Sequence, residues 1–155
     1  MAWTLNERIF ATDKRQLYEE METLDSVLTD SARKLLEGKN FVYLATSFPD
    51  GSPQVTPVWV DTDGKHVLIN TAMGRVKQKN AKRNPKVALA VADVSNPYMF
   101  MQIRGEVVEQ ITGQVAEDHI DKLTMKYHGR PKFDKRTGEH RVILKIRPDR
   151  ISGWG

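Results

Sequence analysis

The chain has 155 residues, 39% hydrophobic and 28% charged, the make-up of one soluble domain that buries roughly 70% of its unfolded surface without staples. It has no cysteine, which excludes disulfides, thiolate nucleophiles and Cys-ligated metals, and no apolar run approaches the ~20 residues that span a bilayer. The opening MAWTLNERIFATDKRQ lacks the apolar core of a signal peptide, and the formal charge of +4 is modest, so a cytoplasmic protein without a membrane role is expected.

Residues 1–28 are polar, with Leu17, Met21 and Leu24 at helical spacing, and read as an arm carrying a short helix. A second helix follows, with Thr29 as N-cap, Ala32, Leu35 and Leu36 as its apolar stripe, and Gly38 in the left-handed C-terminal position. From Phe41 the period changes to that of strands. FVYLATS and QVTPVWVD form a hairpin around Pro49, Asp50 and Gly51, and HVLINTA follows Asp63 and Gly64 as the third strand of a meander. Pro57 cannot donate to a ladder, so the second strand is expected at an edge or bulged.

Gly74 to Asn84 reads as a short helical connection. KVALAVAD is a strand apolar enough for burial on both faces, and YMFMQIRGEVVEQ a long strand bent at Gly105. The next helix places Val115, His119, Ile120, Leu123 and Tyr127 on one face and closes at Gly129, after which a charged loop, Lys132 to His140, leads to the last strand, RVILKIRP. No repeat or composition shift marks a second domain. The boundaries expected are an arm over 1–28 and a mainly β domain with helical decoration, a small β-barrel, over 29–155.

The four histidines lack the pairing of a zinc site, and His119 reads as part of a helix face rather than as a ligand, so no metal is expected. No G-x-S-x-G elbow, G-x-G-x-x-G turn or P-loop is present, so no residue is assigned as catalytic and any reaction is expected to be carried by a cofactor. Charge points to where that cofactor sits. Arg75, Lys77, Lys79, Lys82, Arg83 and Lys86 crowd between positions 75 and 86 without one acidic residue, leaving the rest of the chain mildly acidic. With Asn70, the Thr71 hydroxyl and the first N–H groups of the connecting helix, Arg75 and Lys77 can converge on a phosphate; a solvated basic helix or a nucleic-acid contact is the competing reading.

Beyond these readings, LATSFPDGSPQVTPVWV, NTAMGRVKQKNAKRNPKVALAV, NPYMFMQIRGEV, KYHGRP and RVILKIRPDRISGWG, in this order from about Leu28 to the C-terminus, resemble the flavin split-barrel superfamily that contains the pyridoxamine phosphate oxidases, and within it the deazaflavin (coenzyme F-420) dependent reductases. The resemblance implies a six-stranded FMN-binding split barrel, a homodimer with the cofactor at its interface, and hydride transfer to a small conjugated or unsaturated substrate. It implies that Gln54, Thr56, Pro57 and Val58 meet the cofactor ring and that Thr71, Arg75, Lys77 and Asn80 hold its phosphate. Coenzyme F-420 is the cofactor implied, with FMN, and an oxidase or flavin reductase on the same fold, as the alternative. No nucleic acid is expected as partner, although a non-catalytic cofactor or nucleic-acid binder is the rival from another class.

Overall fold

The computed structural model describes residues 28–154. The expected arm, with Leu17, Met21 and Leu24, lies outside the described residues, except that Leu28 at its end is buried in the core. The elements are α1 (Asp30–Glu37), β1 (Val42–Ser47), β2 (Pro53–Val58), β3 (Asp61–Thr62), β4 (Val67–Ala72), α2 (Val76–Arg83), β5 (Lys86–Ala92), β6 (Phe100–Ile111), α3 (Gln114–His128) and β7 (Arg141–Trp154). All strands join one antiparallel sheet in the order β2-β1-β5-β6-β7-β4-β3. The sheet curls into a half-barrel, and the fold is the split barrel, mainly β with three helices among the described residues. No helix among the described residues is long and apolar enough to cross a membrane.

Thr29 caps α1 through its hydroxyl, which accepts from Ala32 N at 3.1 Å. Ala32, Leu35 and Leu36 enter the main core beside Val42, Leu44, Leu89 and Ile103. Gly38 is not left-handed as expected: its backbone is extended, at φ −65° and ψ 163°. A Cβ there would lie 2.8 Å from Asn40 Nδ2, so glycine serves space rather than conformation. Gly105 marks the expected irregularity, a register shift in the β6–β7 ladder, where a Cβ would meet Arg147 O at 2.3 Å.

Four further expectations are corrected. The meander stops after β1 and β2: β4 pairs with β7 and β3, across the sheet from β2, because strand partners are chosen by long-range packing that local patterning does not encode. QVTPVWVD breaks after Val58, which makes seven strands of six. Val60 N donates to the Tyr127 hydroxyl at 3.1 Å and Val60 O accepts from Lys126 Nζ at 2.8 Å, so helix side chains replace the ladder there. β5 alternates between buried Val87, Leu89 and Val91 and half-buried alanines instead of burying both faces. Val115, placed on the inner face of its helix by spacing, is 61% exposed, since the buried stripe begins with Ala116 and His119. Pro57 does lie in an edge strand, for among the described residues β2 pairs only with β1.

A candidate cofactor site at the split of the barrel

A cavity of about 230 Å³ opens where the two ends of the curled sheet approach each other. β2 and the residue after it contribute Pro57, Val58 and Trp59, β4 contributes Asn70 and Thr71, and the entry to α2 contributes Arg75 and Lys77. Phe41, Ile120, Phe133 and Arg141 complete the lining. Gly74 makes the turn from β4 into α2 possible: its φ is +82°, a region side chains rarely enter, and its N–H donates to Gln78 Oε1 at 3.0 Å. That reversal puts Arg75 at the N-cap and Lys77 in the first turn of the helix.

The charge in this cavity is unbalanced. Arg75 Nη2 donates to Glu139 Oε2 at 3.2 Å, and the buried Arg141 also bonds Glu139. Lys77 has no hydrogen-bond or ion-pair partner among the described residues. Three cations therefore face one carboxylate, since Glu117, which accepts from Arg141 N, is matched by its own ion pair with Lys135. Burial, with the positive charges of Arg75 and Arg141 adding to it, pushes the Lys77 ammonium below its ordinary value of 10.5. The Thr71 hydroxyl beside them is buried with no partner among the described residues. A half-buried ammonium and a buried hydroxyl, both without partners among the described residues and both at one cavity, have the chemistry to take an anion.

Aromatic side chains line the same cavity, and Phe133 lies against the Arg141 guanidinium, 5.0 Å from its carbon to the ring centre. Trp59 stacks on Tyr127 at 5.1 Å between centroids and 5° between planes, with Phe133 edge-on at 6.2 Å and His128 at 5.0 Å. Its orientation is thus set from three sides, and it adds apolar ring surface to the cavity lining.

Of the site residues expected from sequence, Pro57, Val58, Asn70, Thr71, Arg75 and Lys77 meet at this cavity. Thr56 precedes them on β2, and its buried hydroxyl is the other orphan of this kind among the described residues. Gln54 and Asn80 are engaged elsewhere, away from the lining: Asn80 Nδ2 donates to Thr46 Oγ1 at 3.1 Å, which donates to Gln54 Oε1 at 3.3 Å, tying α2 to β1 and β2. Arg83 bonds Asn80 and the Ser47 carbonyl, and Lys79, Lys82 and Lys86 do not line the cavity. Sequence reasoning missed Arg141, Glu139, Trp59 and Phe133. The last had a local signal, a lone aromatic inside a run of charges.

Lys77 gives the site a pH dependence whose sign follows from its depressed pKa. An anion favours the charged ammonium, so binding takes up a proton when the free site is neutral; affinity is full below the free-site pKa and falls as pH rises through it. Anion affinity measured at rising pH is expected to fall before the ordinary lysine value of 10.5 is reached, and Lys77→Arg, which stays protonated, to flatten the profile. Parallel profiles for the two proteins would remove Lys77 from the site.

The sequence profile of the pyridoxamine 5'-phosphate oxidase family matches residues 28–155. No curated protein matches the chain. Among solved structures it is similar to an F420 reductase at 32% identity, over 81% of this chain and 98% of that one, with a TM-score of 0.71. A conserved hypothetical protein of Mycobacterium tuberculosis is 22% identical over 84% of this chain and 86% of that one, with a TM-score of 0.63. General Stress Protein 26 of Bacillus anthracis is 15% identical over 79% and 89%, with a TM-score of 0.58. These last two show the fold alone. The profile spans the whole barrel, including every residue that lines the cavity, and the chain belongs to the pyridoxamine 5'-phosphate oxidase family.

Proposed function

We propose that the protein is a deazaflavin (coenzyme F-420) dependent oxidoreductase that delivers a hydride to a small conjugated or unsaturated substrate, working as a cytoplasmic homodimer whose residues 29–155 form the cofactor-binding domain behind an N-terminal arm. The observation that carries this reading is the cavity at the split, where Lys77 and the Thr71 hydroxyl, without partners among the described residues, share the lining with Trp59, Phe41 and Phe133. A ring joined to a phosphate needs both halves. The choice of deazaflavin is supported by the 32% identity to an F420 reductase.

Each residue has a part in that reading. Arg75 offers a planar fork and Lys77 a compact charge to the phosphate, with the Thr71 hydroxyl as a further donor. Trp59, Phe41 and Phe133 hold the ring and keep water from it, and the Thr56 hydroxyl and the open edge of β2 supply polar contacts to its rim. When bound, the deazaflavin supplies the hydride. The protein orients and desolvates, which is why no acid and base pair is needed at the cavity.

A single chain supplies only part of such a site, because about 230 Å³ is below the roughly 300–1,000 Å³ typical of small-molecule sites. The missing wall has a natural source. Phe41, Tyr43 and Val55, 51%, 53% and 61% exposed, lie on the outer face of β1 and β2 next to the cavity, where Tyr43 pairs with Pro57 and Ala45 with Val55. A second copy on that face would cover them and close the pocket. Sedimentation is expected to give twice the 17.7 kDa of the chain, and Tyr43→Glu to yield a monomer with weakened cofactor binding. A monomeric wild type with full affinity would remove the interface.

The charge count keeps a second reading in view. Three cations against Glu139 leave two positive charges, which a flavin mononucleotide phosphate, a dianion, would balance as well as a phosphodiester with a carboxylate tail. Titration of the apo protein with FMN and with coenzyme F-420 at physiological salt, followed by ring fluorescence, separates them. Tight binding of the deazaflavin alone supports the reductase; FMN alone moves the protein to oxidase or flavin reductase chemistry. Binding of neither, with salt-dependent binding of DNA or RNA instead, would return α2 to nucleic-acid contact.

A further inference from the structure

Behind the cavity, polar side chains from four elements form one connected path, shielded from solvent except at its outer end, where Lys122 is exposed. Asp61 Oδ2 accepts from Lys122 Nζ at 2.7 Å and lies 3.2 Å from His119 Nε2. His119 Nδ1 lies 3.1 Å from Asn70 Nδ2, which also donates to Ala116 O at 2.9 Å. Asn70 Oδ1 accepts from Arg141 Nε at 2.8 Å, and Arg141 Nη1 bonds Glu139. The guanidinium carbon lies 5.0 Å from the Phe133 ring centre. Arg141 Nη2 alone of its nitrogens has no partner among the described residues, and Arg141 lines the cavity.

The direction of every bond in this path is forced. Asn70 must turn Oδ1 to Arg141, because a guanidinium only donates, so its Nδ2 faces the imidazole. His119 Nδ1 then has to accept, which assigns the ring proton to Nε2, where the Asp61 carboxylate receives it. Burial works to raise Asp61, but the hydrogen bonds from His119 and Lys122 outweigh it and hold the carboxylate ionised and able to accept. A reversed amide would set two donors, Asn70 Nδ2 and Arg141 Nε, against each other.

We propose that His119 is a positioning residue of the anion site: through Asn70 it fixes the Arg141 guanidinium with Nη2 presented to the cofactor's phosphate, making Arg141 the third binding cation. The inference rests on the cavity being that phosphate site. An arginine side chain is long and rotatable, and one already locked at Nε, at Nη1 and against a ring loses little freedom on meeting a ligand. A purely structural role would end the path in mutual satisfaction; this one ends in a spare donor beside Lys77 and Thr71.

The test compares His119→Leu, which removes the acceptor facing Asn70, with His119→Asn, whose Oδ1 can stand where Nδ1 does. The fold should survive both changes, since Asn70 keeps Ala116 O and Asp61 keeps Lys122. Affinities for coenzyme F-420 and FMN are followed by ring fluorescence. His119→Leu is expected to lose about tenfold and His119→Asn to recover most of it, the range in which removing an orienting partner weakens a ligand site. In an Arg141→Gln background His119→Leu should cost nothing further, because the two act as one unit. In the apo protein, NMR should show a slowly exchanging Arg141 Nε–H in wild type and His119→Asn that is lost in His119→Leu. Unchanged affinity in His119→Leu, an additive loss with Arg141→Gln, or a persistent Nε–H signal would each overturn the proposal. Failure of the phosphate-site reading looks different: neither cofactor binds wild type, or Arg75→Ala with Lys77→Ala binds as wild type does, while the Nε–H comparison still decides whether His119 holds Arg141.

Discussion

Truncating Tyr127 to alanine is expected to cost the fold about 4 kcal/mol or more, a large share of the roughly 5–15 kcal/mol by which a domain of this kind is stable. The ring is 7% exposed and packs with Ile120 and Leu123 against Trp59 and Phe133. Its hydroxyl donates to Asn40 O at 2.6 Å and accepts from Val60 N at 3.1 Å, so one oxygen ties α3 to the approach of β1 and to the break after β2. Loss of a buried aromatic alone costs about 3–5 kcal/mol, and a buried backbone group left without a partner about 1–3 more. Tyr127→Phe isolates the second part and should cost about 2 kcal/mol. Urea unfolding with an unchanged slope is the measurement, with a fall in melting temperature of about 8–15 °C for the alanine variant. A Tyr127→Phe protein within about 0.5 kcal/mol of wild type would show that water already satisfies Asn40 and Val60. Because Trp59 stacks on Tyr127, the alanine variant should also loosen the cavity's aromatic wall and weaken cofactor binding.

What could be read in the chain before its structure was known divides along sequence distance. β1, β2, the long β6 and the helix from Gln114 follow from periods of two and 3.6 and from turn residues, all local features. The pairing of β4 with β7 joins residues 69 to 79 positions apart, and nothing near Val67 names Ile146 as its partner. The site divides in the same way. Arg75 and Lys77 stood out because six basic residues crowd into twelve positions, whereas Arg141 opens a strand with no local pattern to mark it. Asn80 shares the basic stretch, but its side chain is spent on Thr46, inside the join between α2 and the sheet. Trp59 was hidden by its neighbours: it looked like one more residue of an apolar strand, and only the diversion of Val60's hydrogen bonds to Tyr127 and Lys126 ends that strand before it.

Replacing Arg75 and Lys77 together by alanine should weaken cofactor binding at least tenfold, and about a hundredfold at low salt, while leaving the apo protein's melting temperature almost unchanged. With both gone, Arg141 faces Glu139 alone and the cavity's surplus of two positive charges disappears. A hydrogen bond to a charged group contributes about 1.5–3 kcal/mol, discounted here for the exposure of Arg75. Stability should barely move because Arg75 is half exposed and Glu139 keeps its bond to Arg141 without it, while Lys77 has no ion-pair partner among the described residues, only like charges beside it. The singles should be unequal: Lys77→Ala costs more, since Arg75 already spends part of its fork on Glu139. Salt should weaken the wild type more steeply than the double variant, because two of the screened charges are absent from the latter. Affinity that is unaltered in the double variant would detach the entry of α2 from the cofactor. Equal losses in the singles would mean that Glu139 does not hold Arg75 in solution.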